Sequence, residues 1–136
     1  MSIQLDRRPV VLLVEDHADS REMYAMVMGF AGIDVHVAER ASPAFDLAVA
    51  LRPDVIVTDF TPRGRDNAPA LCRRLHADAR TADIPVLVVT GSTRPADAEA
   101  LTSAGCADIR IKPYLPDALV SDVERLMSSA REQRAS

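Results

Sequence analysis

Apolar runs separated by amphipathic segments dominate this chain, and their alternation predicts its architecture. The runs are rich in valine and isoleucine and are mostly apolar at consecutive positions, which is typical of strands that are covered on both faces. They lie at 10–14, 35–38, 55–59, 85–90 and 108–111. In the last run polar and apolar residues alternate, which favours a strand at the edge of a sheet with one side in water.

The segments between these runs predict helices. Their approximate bounds are 18–31, 42–51, 70–77, 95–104 and 115–127. Ser42 and Pro43 predict the start of the second helix, because serine is a favoured N-cap and proline is favoured at the first helical position. The polar residues after Met127 are expected to fray.

Apolar residues at helical spacing predict which face of a helix is buried. These residues are Met23, Met26, Val27 and Phe30 in the first helix, Phe45, Leu47, Ala48 and Leu51 in the second, and Leu115, Leu119, Val123 and Leu126 in the last. We expect each set to pack against the sheet.

Strands that alternate with helices predict an α/β fold, in which a five-stranded, parallel, doubly wound sheet carries five helices on its two faces. A length of 136 residues suits one domain of common size. We therefore predict a single domain at 10–127, preceded by an N-terminal extension at 1–9 and followed by a polar tail at 128–136.

Composition narrows the range of functions. The net charge is −4 and no basic block occurs, so direct nucleic-acid binding is not indicated. No apolar run approaches the ~20 residues needed to span a bilayer, and the first residues lack a signal-peptide core. We expect a cytoplasmic protein with no membrane contact. In that setting Cys72 and Cys106, which lack metal-type spacing, are expected to be reduced structural thiols.

Acidic residues follow two of the predicted strands where each strand ends. Glu15 and Asp16 come after the first strand, and Asp59 ends the third. A doubly wound sheet places these strands side by side, roughly 4.8 Å apart, so the carboxylates should converge. Thr90 and Lys112 end the fourth and fifth strands and should overhang the same site. Taken alone, Asp59 could instead begin a turn or cap a helix.

Converging carboxylates repel one another unless a cation holds them. Magnesium fits such an all-oxygen site better than zinc. Phosphoryl transfer uses an aspartate nucleophile, a hydroxyl donor and a lysine beside such an ion. Asp59, Thr90 and Lys112 could fill these roles. Of the 16 cationic residues only Lys112 is a lysine, which indicates either a general arginine bias or a need for a compact ammonium at this position.

This ordered set of motifs resembles the receiver domains of bacterial two-component response regulators. The set comprises the acidic pair Glu15-Asp16, Asp59 after its apolar strand, Val-Val-Thr-Gly ending at Gly91 and Ile-Lys-Pro ending at Pro113. The resemblance covers 10–127. It implies the flavodoxin-like, receiver-type fold, and a phosphoryl group that Asp59 accepts from a histidine kinase or a histidine phosphotransfer protein.

The resemblance also implies the ligands of a magnesium ion. Asp16 and Asp59 would bind Mg²⁺ directly, Glu15 would contribute through a water molecule, and the backbone carbonyl of Thr61 would complete the set.

The same resemblance implies that Thr90 and Lys112 bind the phosphoryl oxygens. The Lys112–Pro113 peptide is expected to be cis, because an X-Pro bond carries the smallest cis penalty of any peptide bond. Two features depart from the family pattern. The run Asp59-Phe60-Thr61-Pro62 reaches its proline one residue early, and Ile109 stands where the family usually has an aromatic side chain. The aromatic switch of the family is therefore absent.

The leading hypothesis is a stand-alone phosphoacceptor domain, because no room remains after the last helix for an output domain. Its signal would then pass through contact with an unidentified downstream protein. Such a domain phosphorylates and dephosphorylates itself but is not a turnover enzyme. A homodimer would form through the face made by the fourth helix, the fifth strand and the fifth helix.

The alternative is a receiver-like interaction module that works without phosphorylation. A phosphatase with an aspartate nucleophile is a weaker hypothesis, because Thr61 stands where its second acid would be needed. Flavin binding is weaker still, since no hydroxyl-rich phosphate loop follows the first strand.

Overall fold

The computed structural model describes residues 8–61 and 67–135. Within these ranges the strands are β1 (Val10–Val14), β2 (Asp34–Ala38), β3 (Val55–Phe60), β4 (Val86–Thr90) and β5 (Asp108–Ile111). The helices are α1 (Ala18–Phe30), α2 (Ala41–Leu51), α3 (Ala68–Ala77), α4 (Pro95–Ser103) and α5 (Pro116–Ala135). Strands and helices alternate as the sequence predicts. No helix in the described ranges is long and apolar enough to cross a membrane.

The strands form one parallel sheet in the order β2-β1-β3-β4-β5. β1 lies beside β3, so the predicted doubly wound arrangement is confirmed, and β5 is an edge strand as expected. The register pairs Val14 with Thr58 and Phe60 with Thr90, so β1, β3 and β4 end at nearly the same level. This common edge carries the candidate site.

Alternate strand residues build two cores, one on each face of the sheet, because successive side chains of a strand point to opposite faces. Leu12, Ile56 and Val88 face the core that α2, α3 and α4 cover. Val57 and Leu87 face the core beneath α1 and α5. These strands need apolar residues at consecutive positions because both of their faces are covered.

The predicted buried face of α1 is wrong. Met23, Met26 and Phe30 are 38%, 57% and 86% exposed, whereas Tyr24 and Met28 are buried. Apolar residues occur on two sides of this helix, and the side with Tyr24 and Met28, four residues apart, packs into the core beneath α1 and α5. The other side is left as an exposed apolar stripe, which we define as Met23, Met26 and Phe30.

The start of α2 also differs from the prediction. The helix begins at Ala41 with Arg40 as N-cap and no side-chain cap, so Ser42 is not the N-cap and Pro43 occupies the third helical position. The predicted apolar face of α2 is correct, because Phe45 and Ala48 are buried in the core.

The last helix is longer than predicted. It begins at Pro116 and continues to Ala135, so the expected frayed tail is helical. The prediction missed that Met127 and Ala130 are buried, and their packing holds the polar segment in place. Leu115 precedes the helix and is 72% exposed, so it does not belong to the buried face.

Candidate functional site

Carboxylates converge at the edge of the sheet where β1 and β3 end. Glu15 and Asp16 follow β1, and Asp59 is the penultimate residue of β3. One carboxylate oxygen from each residue lies within 4.8 Å of the others. We call this group the acidic cluster. The structure therefore brings together the three acidic residues that the sequence placed at one site.

Backbone contacts hold the first two residues of the acidic cluster. The Glu15 N–H donates to Ala38 O at 3.0 Å, which extends the pairing between β1 and β2 by one step. The Arg21 guanidinium, from α1, donates to Glu15 O at 3.1 Å and lies 3.5 Å from Asp16 O. No local motif predicts this role of Arg21, because the contact depends on how α1 packs against the residues that follow β1.

Glu15 is only 2% exposed, and among the described cations it is the charge of Lys112 that lowers its pKa. Burial is the main reason that its pKa lies above the usual value, and the negative charge of Asp59 raises it further. The His17 N–H, which donates to Glu15 Oε2 at 3.2 Å, opposes these effects. The acidic cluster is therefore electrostatically costly by itself, and a cation would relieve it.

Asp59 contacts a cation through one oxygen and a hydroxyl through the other. Lys112 Nζ lies 2.6 Å from Oδ1, and the Thr61 hydroxyl donates to Oδ2 at 3.2 Å. The Asp59 side chain is 12% exposed and that of Lys112 36%. Burial by itself would lower the pKa of Lys112, but the contact and charge of Asp59, with Glu15 behind it, raise it. Lys112 therefore stays protonated beside Asp59.

The acidic cluster fits a hard divalent cation. Asp59 Oδ1 is buried and accepts no well-aligned hydrogen bond from the described residues, so its contact with Lys112 is an ion pair by distance alone. An oxygen of this kind, with the carboxylates of Glu15 and Asp16 within 4.8 Å, is suited to Mg²⁺. The role of the Thr61 carbonyl as a further ligand stays a prediction.

Thr90 lies beside the acidic cluster but is turned towards its own loop. It is 2% exposed and stands opposite Phe60 in the register. Its hydroxyl accepts a hydrogen bond from the Ser92 N–H at 3.0 Å, and no hydrogen bond joins Thr90 to Asp59 in the described parts of the chain. The Ser92 hydroxyl in turn donates to Asp97 of α4 at 2.5 Å. Thr90 is thus linked to α4 through Ser92.

An open cleft of about 460 Å³ lies over this edge of the sheet. Its lining comprises Phe60, Thr61, Gly91, Ser92, Thr93, Arg94 and Lys112. The cleft leaves the site open to solvent on the side where Lys112 lies.

The Lys112–Pro113 peptide is cis, as expected. Ile109, which stands in place of the family's aromatic residue, is half-buried against the core that α2, α3 and α4 cover. The early proline, Pro62, lies outside the described residues.

Two features near the site were not predicted. Tyr24 is buried on α1, and burial is the main reason that its pKa is raised. The charge of Lys112 lowers this pKa, and the charges of Glu15 and Asp59 raise it. Tyr114, two residues after Lys112, donates from its hydroxyl to Asp122 on α5. Neither tyrosine belongs to a local motif, so the sequence alone could not single them out.

Known proteins provide an independent comparison. The model of the response regulator receiver domain family matches residues 11–124. The phosphate regulon transcriptional regulatory protein PhoB of Pseudomonas aeruginosa is 31% identical over 117 residues, which are 86% of this chain and 51% of that protein. The DNA-binding dual master transcriptional regulator RpaA of Synechocystis is 32% identical over 123 residues, 90% of this chain and 48% of that protein. The chain thus spans about half the length of these relatives.

The fold is also found among solved structures. The signal receiver domain of a signal transduction histidine kinase from Syntrophus aciditrophicus superposes with a TM-score of 0.80 at 28% identity. The match covers 89% of this chain and 91% of that one.

Proposed function

Because the chain belongs to the response regulator receiver domain family of two-component signalling, we propose that Asp59 accepts a phosphoryl group from a phosphohistidine. The donor is a histidine kinase or a histidine phosphotransfer protein, and the signal passes on through contact with a downstream protein. The observation that carries this proposal is the ion pair between Lys112 and Asp59 within an otherwise acidic cluster. A compact ammonium at 2.6 Å from the nucleophile is well placed to meet an incoming phosphoryl oxygen.

The reaction is a transfer between two protein side chains. A carboxylate oxygen of Asp59 forms a bond to phosphorus as the bond from phosphorus to the histidine nitrogen breaks, and the product is an acyl phosphate. Lys112 would contact one phosphoryl oxygen, and the Thr90 hydroxyl, once released from Ser92, would donate to another. Because the phosphoryl group remains on Asp59 until it is hydrolysed, the product is a signalling state of the chain.

Bound magnesium would neutralise the negative charge that the phosphoryl group adds to the site. Asp16 and Asp59 would hold it directly, Glu15 through water, and the Thr61 carbonyl would complete the set.

The exposed apolar stripe of α1 supports docking of the phosphodonor protein. Met23, Met26 and Phe30 lie on the helix that begins two residues after Asp16, so a partner that binds the stripe contacts the same helix whose first residues adjoin the acidic cluster. Apolar side chains exposed along one helix face are typical of an interaction surface. We expect Met26→Glu to slow transfer from a phosphorylated partner at least 10-fold, and to leave labelling by a small phosphodonor unchanged.

Mass spectrometry of the acyl phosphate, after incubation with phosphoramidate and Mg²⁺, tests the proposal. Wild type should gain one phosphoryl group, Asp59→Asn should gain none, and a chelator should abolish labelling of wild type. Asp46→Asn, which removes an exposed carboxylate from α2, is the matched control and should label normally. Equal labelling of Asp59→Asn and wild type would show that the site assignment is wrong. Absence of label in wild type would favour the receiver-like interaction module.

The expected lack of direct DNA contact stays a prediction. The relatives named above are DNA-binding or transcriptional regulators, and the chain matches only about half of each.

A further inference from the structure

The placement of Lys112 requires support that the sheet alone does not supply. Lys112 follows β5, a four-residue strand at the edge of the sheet, which among the described residues pairs with β4 alone. One backbone hydrogen bond, from the Lys112 N–H to Thr90 O at 2.8 Å, continues this pairing. Edge strands with few partners open more readily than central strands. Nevertheless the lysine ammonium lies 2.6 Å from Asp59, which belongs to a strand two positions away in the sheet.

Asp122 of α5 holds the chain on both sides of Lys112. Its carboxylate accepts a two-pronged pair of hydrogen bonds from Arg110, at 2.9 Å from Nε and 3.2 Å from Nη2. It also accepts a hydrogen bond from the Tyr114 hydroxyl, and the oxygen of that hydroxyl lies 3.2 Å from Ala118 O. Arg110 stands two residues before Lys112 and Tyr114 two residues after it. One carboxylate therefore fixes both flanks of the lysine to α5.

The same contacts continue to the start of β5. Arg125 of α5 lies 2.6 Å from Asp108 and 3.3 Å from Asp122, and Arg110 lies 2.9 Å from Asp108. We call Asp108, Arg110, Tyr114, Asp122 and Arg125 the β5–α5 network.

The β5–α5 network is more rigid than an ordinary surface ion pair. The Asp122 side chain is only 14% exposed, and a planar guanidinium that meets a carboxylate through two bonds fixes direction as well as distance. The ring of Tyr114 packs against the core beneath α1 and α5, so its hydroxyl has little freedom.

We propose that Asp122 is a positioning residue for phosphoryl transfer: by holding Arg110 and Tyr114 it sets the Lys112 ammonium against Asp59. This inference deepens the proposed function and rests on it, because the reaction whose rate Asp122 would affect is the proposed phosphoryl transfer to Asp59. Asp122 does not touch the reacting atoms. Its effect is geometric, and a displacement of about 1 Å at a reacting group can cost up to about 100-fold in rate.

The only lysine of the chain offers a direct readout of this geometry. Protein labelled with ¹³C-lysine gives a single Lys112 Cε signal, whose chemical shift and relaxation report where and how tightly the side chain is held. Asp122→Asn should move this signal towards that of a free, mobile lysine. Tyr114→Phe, which keeps the ring, should move it part of the way. Glu124→Gln is the matched control, because it removes one exposed carboxylate from α5 and should leave the signal unchanged.

Labelling rates with phosphoramidate provide the second readout. Asp122→Asn should lower the maximum labelling rate on the order of 10-fold, which is less than the full loss for a displaced reacting group. The phosphoramidate concentration that gives half of the maximum rate should stay the same. In the Lys112→Ala background the same substitution should have no further effect, because there is no ammonium left to position. A purely structural role would lower the rate equally in both backgrounds.

The outcomes separate this inference from the proposed function. If the Lys112 signal and the labelling rate of Asp122→Asn match those of wild type, the positioning role is overturned. An equal loss of rate with and without Lys112 overturns it too. If wild type takes no label, the proposed function fails, and a shift of the Lys112 signal in Asp122→Asn would still establish that Asp122 places the lysine. Circular dichroism confirms that each variant is folded.

Discussion

The acidic cluster and the β5–α5 network are neighbours that differ in charge balance. The acidic cluster has three carboxylates and meets one ammonium. In the β5–α5 network, Asp108 and Asp122 are matched by Arg110 and Arg125. The pKa values of the two regions differ accordingly. Burial and Asp59 raise the pKa of Glu15, whereas the hydrogen bonds from Arg110, despite burial, hold that of Asp122 at about 2.

This difference separates a site that needs an outside ligand from one that does not. Excess negative charge at a buried position is unfavourable until a cation arrives, so the acidic cluster is suited to binding a divalent ion. A balanced and hydrogen-bonded set of charges gains nothing from a ligand and serves to fix geometry. The β5–α5 network also pairs its charges within one chain. The homodimer expected through the face of α4, β5 and α5 stays a prediction, and it would have to replace these ion pairs with ion pairs between two chains.

The largest effect is expected from a change to the one cation of the acidic cluster. Lys112→Arg should reduce phosphoramidate labelling nearly as much as Lys112→Ala, on the order of 100-fold, because a planar guanidinium does not fit where a compact ammonium stands and misplaces the charge. Arg73→Lys, which makes the same exchange at an exposed position of α3, is the control and should change the rate less than about 2-fold, since a surface charge that is retained contributes little. Labelling of Lys112→Arg at the wild-type rate would support a general arginine bias of the chain.

Magnesium should stabilise the protein through the acidic cluster only. At about 100 times its dissociation constant the ion contributes about 2.7 kcal/mol, which for a domain of this size raises Tm on the order of 8 °C. Asp16→Asn should lose most of this increase. Asp108→Asn should lower Tm without the ion, because it breaks ion pairs with Arg110 and Arg125, but should keep the full increase when the ion is added. The measurement is calorimetry with and without MgCl₂; an undiminished increase in Asp16→Asn would place the ion elsewhere.

Without magnesium, pH should act on the two regions in opposite directions. The folded-state pKa of Glu15 is raised, so ionised Glu15 destabilises the fold above that pKa, and the penalty disappears below the usual value of 4.5. The pKa of Asp122 is lowered from 3.8 to about 2, so its stabilisation is complete above 3.8 and is lost as the pH falls towards 2.

Two variants check these signs by thermal unfolding. Glu15→Gln should raise Tm at pH 7 by about 3 °C, equivalent to about 1 kcal/mol, and this gain should vanish near pH 4. Asp122→Asn should lower Tm by a similar amount at pH 7 and pH 5 alike, with the loss shrinking only at lower pH. A loss that disappears already at pH 5 would contradict the assignment of Asp122.

The smallest effect concerns the route by which the signal leaves the acidic cluster. Thr90 is linked to α4 through Ser92 and Asp97, whereas Ile109 is β-branched and stiff at χ1. On addition of beryllofluoride, Thr90→Ala should suppress the amide NMR shift changes of 95–104, and Ile109→Ala should leave most of them. Equal loss in both variants would show that Ile109 controls this face.

Local patterns were sufficient for the sheet and for the place of the site. Buried strands must be apolar at consecutive positions, and carboxylates at the ends of adjacent strands must meet, so Glu15 and Asp59 could be brought together from sequence. The face of α1 could not be predicted in the same way. Met23, Met26 and Phe30 have the spacing of a buried stripe, and only the packed structure reveals that Tyr24 and Met28 face the core.

The β5–α5 network had no sequence signal because its members are brought together by tertiary packing. Arg110 and Asp122 are 12 residues apart, on different elements, and their contact depends on how α5 is rotated against β5. The extension of α5 was missed for a related reason. The segment after Met127 is polar, but the burial of Ala130 against the domain keeps it helical.

The aromatic composition of this chain has an optical consequence. It contains no tryptophan and two tyrosines. Tyr24 is buried on α1, within range of the charges of Lys112 and the acidic cluster, and Tyr114 belongs to the β5–α5 network, two residues after Lys112. The tyrosine absorption and fluorescence of the unlabelled protein therefore report on the surroundings of Lys112. Ion binding, the proposed phosphorylation and loss of the Tyr114 contact can each be followed as a spectral change, and Tyr24→Phe and Tyr114→Phe assign that change to one tyrosine or the other.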